Sequence, residues 1–367
     1  MTDDAEAVLR LAADLVAIDS RSSVSNIPLA ERIEAELAGF DVTRVDYADA
    51  NGVAKRALVA HRGPRGGLAL SGHMDTVPET GWIDPWSPRV ADGMLHGLGS
   101  VDMKGPVAAC IVAARGLPDS MPATLLITTD EETSKQGARA VAACDAARAL
   151  GLRGIIVAEP TGLLPVRGHR SHIEYTAVAS GVQAHSSTGQ GANANWVLIP
   201  FLAEMKAVFE RLRHDPAFHD AGYDPPFSDF NLIVDNHGTA VNVTVAKATA
   251  RIKFRRSRNV DYAPIEAAVR DAAARTGVTL TEKREGTPPE LPADHPLVAL
   301  AVRETGQPAR TAPYGTDASE LQDLAPCIVM GPGSIATAHT PHECVAVADL
   351  VAAVPLFRRM LAATPAG

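Results

Sequence analysis

This chain has little cysteine, no basic excess and no long apolar run, and each shortage removes a class of protein. Its four cysteines, Cys110, Cys144, Cys327 and Cys344, lie far apart with no C-x-x-C spacing, which points to reduced, structural thiols in a cytoplasm. A net charge of −9, with one short basic cluster at Phe254–Arg258, offers few of the counterion-releasing contacts on which binding to nucleic acid or an anionic membrane depends. No stretch approaches the roughly 18–20 uncharged apolar residues of a membrane span. The amino terminus, MTDDAEAVLRLAADLVAIDS, is acidic and amphipathic where a secretory leader starts basic, so a cytoplasmic location is expected.

What is present is long enough for more than one core. At 367 residues, a large domain and a smaller one are expected. Apolar runs alternate with helical patterns: strand Leu68–Ser71, helix Met103–Gly116, strand Thr124–Thr129, helix Ser134–Leu150, strand Gly154–Ala158. That order predicts an α/β domain with buried, largely parallel strands. From about Pro165 the pattern changes to strand His172–Ser180, helix Asn193–His214, two-residue alternation over Phe227–Asp235 and Thr239–Arg256, helix Tyr262–Thr276 and strand Val278–Lys283. The order βαββαβ is that of a ferredoxin-like α+β unit. After a Pro-rich stretch at Thr287–Pro292, helix His295–Thr305 and strand Cys327–Met330 return to α/β texture. The predicted organisation is an α/β domain built from residues 1–165 and 285–367, interrupted by an insertion over residues 166–284.

Acids and histidines gather where the apolar runs end, and ligands of open α/β sheets collect outside the carboxyl ends of strands. His73 and Asp75 are two apart after a strand, so the carboxylate can take the second imidazole proton and hold the tautomer that ligates metal. Asp102 lies in GLGSVDMKG, where glycines let the backbone turn before a helix whose N-terminus favours an anion; the plain alternative is an N-cap. Glu131 and Glu132 are adjacent after TLLITTD, and one can bind metal while the other takes a proton from water; spacing does not say which. Glu159 is kept extended by Pro160, and a buried glutamate there is costly unless paired or metal-bound. His339 and His342 compete for a last ligand position, and spacing leaves them even. His96, His169 and His172 read as surface or satisfied histidines. A pair of divalent ions about 3.5–4 Å apart needs a bridging carboxylate, a His and a carboxylate for each ion, and a free carboxylate for water. The chain supplies each of these.

Taken in order, G-H-x-D-x-V-P, D-M-K-G, D-E-E, E-P-T and a late H-x-x-x-E resemble the metallohydrolase family of acetylornithine deacetylase, succinyl-diaminopimelate desuccinylase, aminoacylase and the carboxypeptidase that removes glutamate from folates. The resemblance covers nearly the whole chain. It implies a zinc-peptidase-like catalytic domain with a central mixed sheet, and a ferredoxin-like insertion serving as lid and dimerisation domain of a homodimer. It also implies two divalent ions per subunit, zinc in the first place, with cobalt or manganese accepted by the same donors. Asp102 would bridge them, with Glu132 and His339 completing one site and His73 and Glu159 the other. Glu131 would be the general base and Asp75 the support of His73. His339 is preferred because Glu343 stands four residues after it, and the Asp102–Met103 peptide becomes a candidate for the cis form.

In the insertion, the resemblance makes His185 the histidine that reaches the active site of the opposite subunit and steadies an oxyanion. Asn242, Arg255, Gly315 and Thr316, with Asp317 after them, become substrate-binding positions, the guanidinium suiting a carboxylate. Leu98 and Pro106 depart from the family pattern in the loop that presents Asp102, although neither removes a ligand. The H-S-S and G-x-N-A sequences after Gln183 look closest to acetylornithine deacetylase. The implied activity is removal of an acyl group from an N-acyl-L-amino acid; the alternatives are a dipeptidase or carboxypeptidase of the same family, or a non-catalytic binding protein on this fold.

Overall fold

Eight strands form one mixed sheet. Across it they run Asp41–Ala48, Ala54–Arg62, Ala123–Thr128, Leu68–His73, Gly154–Pro160, Cys327–Gly331, Val166–His169 and Arg310–Ala312 in this computed structural model, which describes residues 3–363. The four middle strands, Ala123–Thr128 to Cys327–Gly331, are parallel. Their neighbours on both sides pair antiparallel. Every residue of those four strands is buried, as expected of parallel strands covered on both faces. Because they point the same way, their carboxyl ends come out along one edge of the sheet, and His73, Glu131, Glu132 and Glu159 come with them.

Helix Gly105–Arg115 is buried at all positions except Arg115. Its small residues let it lie close against the sheet, with helices Asp3–Val16 and Val347–Ala362 packed over it. At Gly331 the sheet itself leaves no room: an added Cβ would stand 2.0 Å from the Ala158 carbonyl oxygen and 2.6 Å from that of Glu159. The absence of a side chain there lets the strand carrying Glu159 sit against its neighbour.

The described chain divides into two compact units. One comprises the residues up to Gly168, Pro289–Thr311 and those from Thr316 on; the other is His169–Pro288 with Ala312–Gly315. The second unit has its own core and an antiparallel sheet in the order Phe230–Asp235, Lys247–Arg256, Ser171–Ser180, Thr279–Arg284. Helices Asn195–His214 and Ala263–Thr276 pack together against it. With the strands numbered along the chain, that is the 4-1-3-2 order of a ferredoxin-like fold. Ile173, Tyr175, Ala177 and Ala179 face Ala250, Ile252 and Phe254 in its core, so the two-residue alternation is used as the pattern implied.

Three elements differ from the sequence reading. The helix expected over Ser134–Leu150 is two pieces, Gln136–Ala143 and Asp145–Arg148, because Lys135 is left-handed (φ 55) and Cys144 is extended (ψ 127). The strand expected from Thr239 starts only at Lys247, since Thr244 and Val245 spend their backbone hydrogen bonds on Ala184 and Ala194. The antiparallel hairpin Asp41–Arg62, placed at the sheet edge, carries no strong apolar alternation and was not legible as strands. Among the described residues no helix is long and apolar enough to cross a membrane, and all four cysteines are free thiols.

Candidate active site

His73 ends its strand buried, with Nε2 3.0 Å from Asp102 Oδ1 and 3.9 Å from Glu159 Oε1. Its Nδ1 lies 2.9 Å from the backbone carbonyl of Asp75, which calls for the proton on Nδ1 and leaves Nε2 free to ligate. Across Asp102, His339 Nε2 is 3.2 Å from Oδ2 and 2.9 Å from Glu132 Oε1. Asp102 thus turns one oxygen to each histidine. Two donor groups result, His73 with Asp102 and Glu159, and His339 with Asp102 and Glu132, the ligand atoms of each lying within 4.8 Å of one another. His342 joins neither; it is exposed and lines an open cleft with Trp82, Arg89 and His96.

The loops that present these groups are held by further acids. Gly99, left-handed at φ 81, starts the turn from Ser100 to Lys104, and the Asp102–Met103 peptide is cis. Glu343 Oε1 accepts the N–H groups of Val101 (3.0 Å) and Asp102 (3.1 Å). Asp75 has more than the task its spacing suggested. Its carboxylate lies 3.5 Å from His73, whose Nδ1 is closer to the Asp75 carbonyl, and it also accepts the N–H groups of Glu131 (3.1 Å) and Glu132 (3.2 Å) and the Ser22 hydroxyl (2.7 Å). Asp130, left-handed at φ 63, is pinned by Tyr47 at 2.7 Å and by the buried Lys55 at 3.0 Å. The role of Lys55 and Tyr47, 75 and 83 residues upstream of Asp130, has no local signal in the sequence. Lys135, also buried, reaches Glu131 Oε1 at 3.3 Å and the Thr316 carbonyl at 2.8 Å.

Negative charge is crowded here. Burial, then the charge of Asp102, pushes Glu132 up to about 8 and Glu159 well above the usual carboxylate range. Burial also raises Glu131, against the pull of Lys135 and His73, and takes Asp317 to about 7 with help from Glu131. Burial works to raise Asp102 as well, but hydrogen bonds to His339 and His73 outweigh it and keep it ionised. Hydrogen bonds to Asp102 and Glu132 carry His339 up to about 11. Burial opposes a charge on His73, yet its partners Asp102 and Asp75 raise it well above normal. Such a set stays charged together only with added positive charge. One His, one private Glu and one shared Asp in each group fit a pair of divalent ions with three protein donors apiece.

Of the remaining sequence-predicted residues, His185, Asn242, Arg255 and Gly315 belong to the second unit and Thr316 and Asp317 to the first. His185 and Asn242 come together: His185 bridges to Val243, and Ser186 donates to the Asn242 carbonyl at 3.0 Å. Both side chains are exposed. Arg255 is elsewhere, paired with His172 at the other end of the two strands on which Lys247 pairs with Ser180. Eight residues of strand put roughly 25 Å between those ends. Gly315 lies within the second unit near Glu285 and the Arg170 carbonyl. Thr316, in the first unit, is buried and accepts the Ala318 N–H at 3.1 Å, and Asp317 accepts a 2.5 Å hydrogen bond from Thr128.

A model of peptidase family M20/M25/M40 matches residues 69–363. The chain is similar to the acetylornithine deacetylase of Proteus mirabilis, 32% identical over 349 residues that cover 90% of this chain and 88% of that one. Among solved structures, a dipeptidase of Saccharomyces cerevisiae shares the fold, with a TM-score of 0.76, 15% identity and coverage of 96% of this chain and 95% of that one. A dinuclear metal-binding peptidase of Bacillus subtilis does so with a TM-score of 0.65, 15% identity and 98% coverage of both chains.

The raised values fix the direction of a proton count. Those of His73, His339, Glu132 and Glu159 all favour the protonated form of each group, and a proton held there must leave before the group ligates. Metal uptake at pH 7 should release protons, and affinity should rise as the pH is raised from 6 to 8. Titration calorimetry in buffers of different ionisation heat measures the release; uptake with no proton exchange would show that these residues are not the donors.

Proposed function

The chain belongs to peptidase family M20/M25/M40 and is a metal-dependent hydrolase of linear amide bonds, and on that premise we propose that it removes the acyl group from an N-acyl-L-amino acid. The observation that carries this reading is Asp102 standing between two His–Glu donor pairs, with Glu131 beside them and outside both groups. We take the ions to be zinc, with cobalt or manganese able to replace it, the working form to be a homodimer, and the compartment to be the cytoplasm.

When bound, the two ions supply Lewis acidity toward an acyl carbonyl and acidity to a water. The residues do the rest. Glu131 Oε2, the oxygen not facing Lys135, takes a proton from water and delivers it to the leaving amine. Asp75 aims this base by holding the Glu131 and Glu132 N–H groups, and Glu343 aims Asp102 in the same way. Arg255 is proposed to bind the substrate carboxylate, with Gly315 and Thr316 shaping the loop beside it. His185 is proposed to act at the oxyanion of a second copy, and Asn242, beside it, to bind substrate there. Support for this comes from the length of strand between them and Arg255, which keeps one chain from offering both sets side by side on its second unit.

Exchanging each adjacent acid for its amide tests the core of the reading. Glu131→Gln should lower kcat by several orders of magnitude with both metals retained, whereas Glu132→Gln should lose metal. A Glu131 variant short of one ion, beside an intact Glu132 variant, would exchange the two roles. For His185, heterodimers of inactive His185→Ala and inactive Glu131→Gln chains should regain activity at one site per dimer; confirmed heterodimers that stay inactive would place the histidine in its own chain's site.

Substrate class is read with a panel of N-acetyl amino acids, their amides and methyl esters, and dipeptides. Loss of a buried guanidinium–carboxylate pair costs on the order of 2–5 kcal/mol, or roughly 30- to several-thousand-fold in kcat/KM. The free-carboxylate N-acetyl amino acids should be preferred over their uncharged derivatives by a factor in that range, and Arg255→Lys should erase the preference. Equal turnover of charged and uncharged compounds would rule out the clamp, and preference for dipeptides would make the enzyme an exopeptidase.

A further inference from the structure

Glu131 and Glu132 are chemically identical neighbours, and the structure separates them by the cation each one meets. Glu132 Oε1 faces His339 at 2.9 Å. Glu131 Oε1 faces Lys135 Nζ at 3.3 Å. Lys135 is in a left-handed turn whose N–H returns to the Asp130 carbonyl at 2.6 Å, so the chain curls back from the acid pair and carries the ammonium beneath it. A lysine head group buried in that place is costly unless paired. Its Nζ also donates to the Thr316 carbonyl at 2.8 Å, on a loop that is itself fixed by the hydrogen bonds Thr316 accepts from the Ala318 N–H and the Ser319 hydroxyl. The Thr316 carbonyl therefore anchors the ammonium, which faces the base from that anchor.

The surroundings of Glu131 make such a hold necessary. Asp75, Asp102 and Asp317 all repel its carboxylate, and the two donor groups beside it are built to attract cations. A glutamate there can swing into coordination or stay free for water. We propose that Lys135 is a positioning residue that reserves Glu131 for proton transfer, holding Oε1 away from the donor groups and on the side of the Thr316 loop. This rests on Glu131 being the base.

The test uses the zinc-loaded protein with Lys135→Met, and Lys135→Gln as a second neutral variant should the first misfold. Loss of a partner that orients a catalytic group costs about 10- to 100-fold in activity. We expect kcat to fall by that factor, KM to stay within about threefold, two zinc ions per chain to be retained, and EDTA to strip them no faster than from the wild type. In urea unfolding of the metal-free protein, the midpoint shifts of Lys135→Met and Glu131→Gln should be non-additive. An unchanged kcat, additive midpoints, or a lower kcat accompanied by faster zinc loss would overturn the proposal, the last by making Lys135 a support of the metal ligands. A Glu131→Gln enzyme with intact kcat removes the base and this proposal with it. An inactive Glu131→Gln enzyme beside an unaffected Lys135→Met enzyme removes only the role of Lys135.

Discussion

Everything in the first unit follows from the need to keep several carboxylates together out of water. Asp102, Glu131, Glu132, Glu159 and Asp317 share a buried edge of one sheet, and like charges at such distances drive one another toward protonation. Only positive charge placed among them reverses that. Two histidines and a lysine supply part of it from the chain, and the two donor groups around Asp102 provide for the rest. A site of this kind trades stability for chemistry, since removing the metal leaves the fold holding protons it would otherwise release.

The protein meets the cost with a second tier of acids that bind backbone instead of metal. Asp75 holds the N–H groups of Glu131 and Glu132 and Glu343 holds those of Val101 and Asp102, while Asp130 is clasped by the side chains of Tyr47 and Lys55. Hydrogen bonds to a charged acceptor contribute about 1.5–3 kcal/mol each, enough to fix a loop that mutual repulsion would spread. In each case the acid stands one to several residues from a ligand, or far from it in the chain, so the motif and its support are easily confused in the sequence. Glu343 raised to about 7 by burial shows that these supporting acids bear part of the same electrostatic load.

The second unit solves a different problem. Its core is independent of the metal ligands and its sheet runs the full ten residues of Ser171–Ser180 against Lys247–Arg256. A sheet that long sets its two ends far apart. The exposed loop pair His185 and Asn242 and the half-buried Arg255 are therefore held apart within this unit.

The sequence by itself determined which residues could do the chemistry and where strands and helices would lie. Acid and histidine types at strand ends are a local property of the chain, and burial of the four parallel strands is written in their continuous apolar runs. It also carried the alternation that makes the inserted unit a half-buried sheet. Adjacent acids, however, have the same local signal, as do His339 and His342 three residues apart. Spacing did not separate them; the family motifs favoured Glu132 and His339. The tertiary structure sets Glu132 against His339 across 207 residues, a contact that depends on how the strands are ordered in the sheet. It also turns Glu131 to Lys135 in the local turn that follows it and leaves His342 outside both donor groups. The same is true of Asp75, whose spacing from His73 suggested one partner and whose carboxylate takes the Glu131 and Glu132 backbone as well. Spacing along the chain limits what a side chain can reach, and packing decides which of the reachable partners it meets.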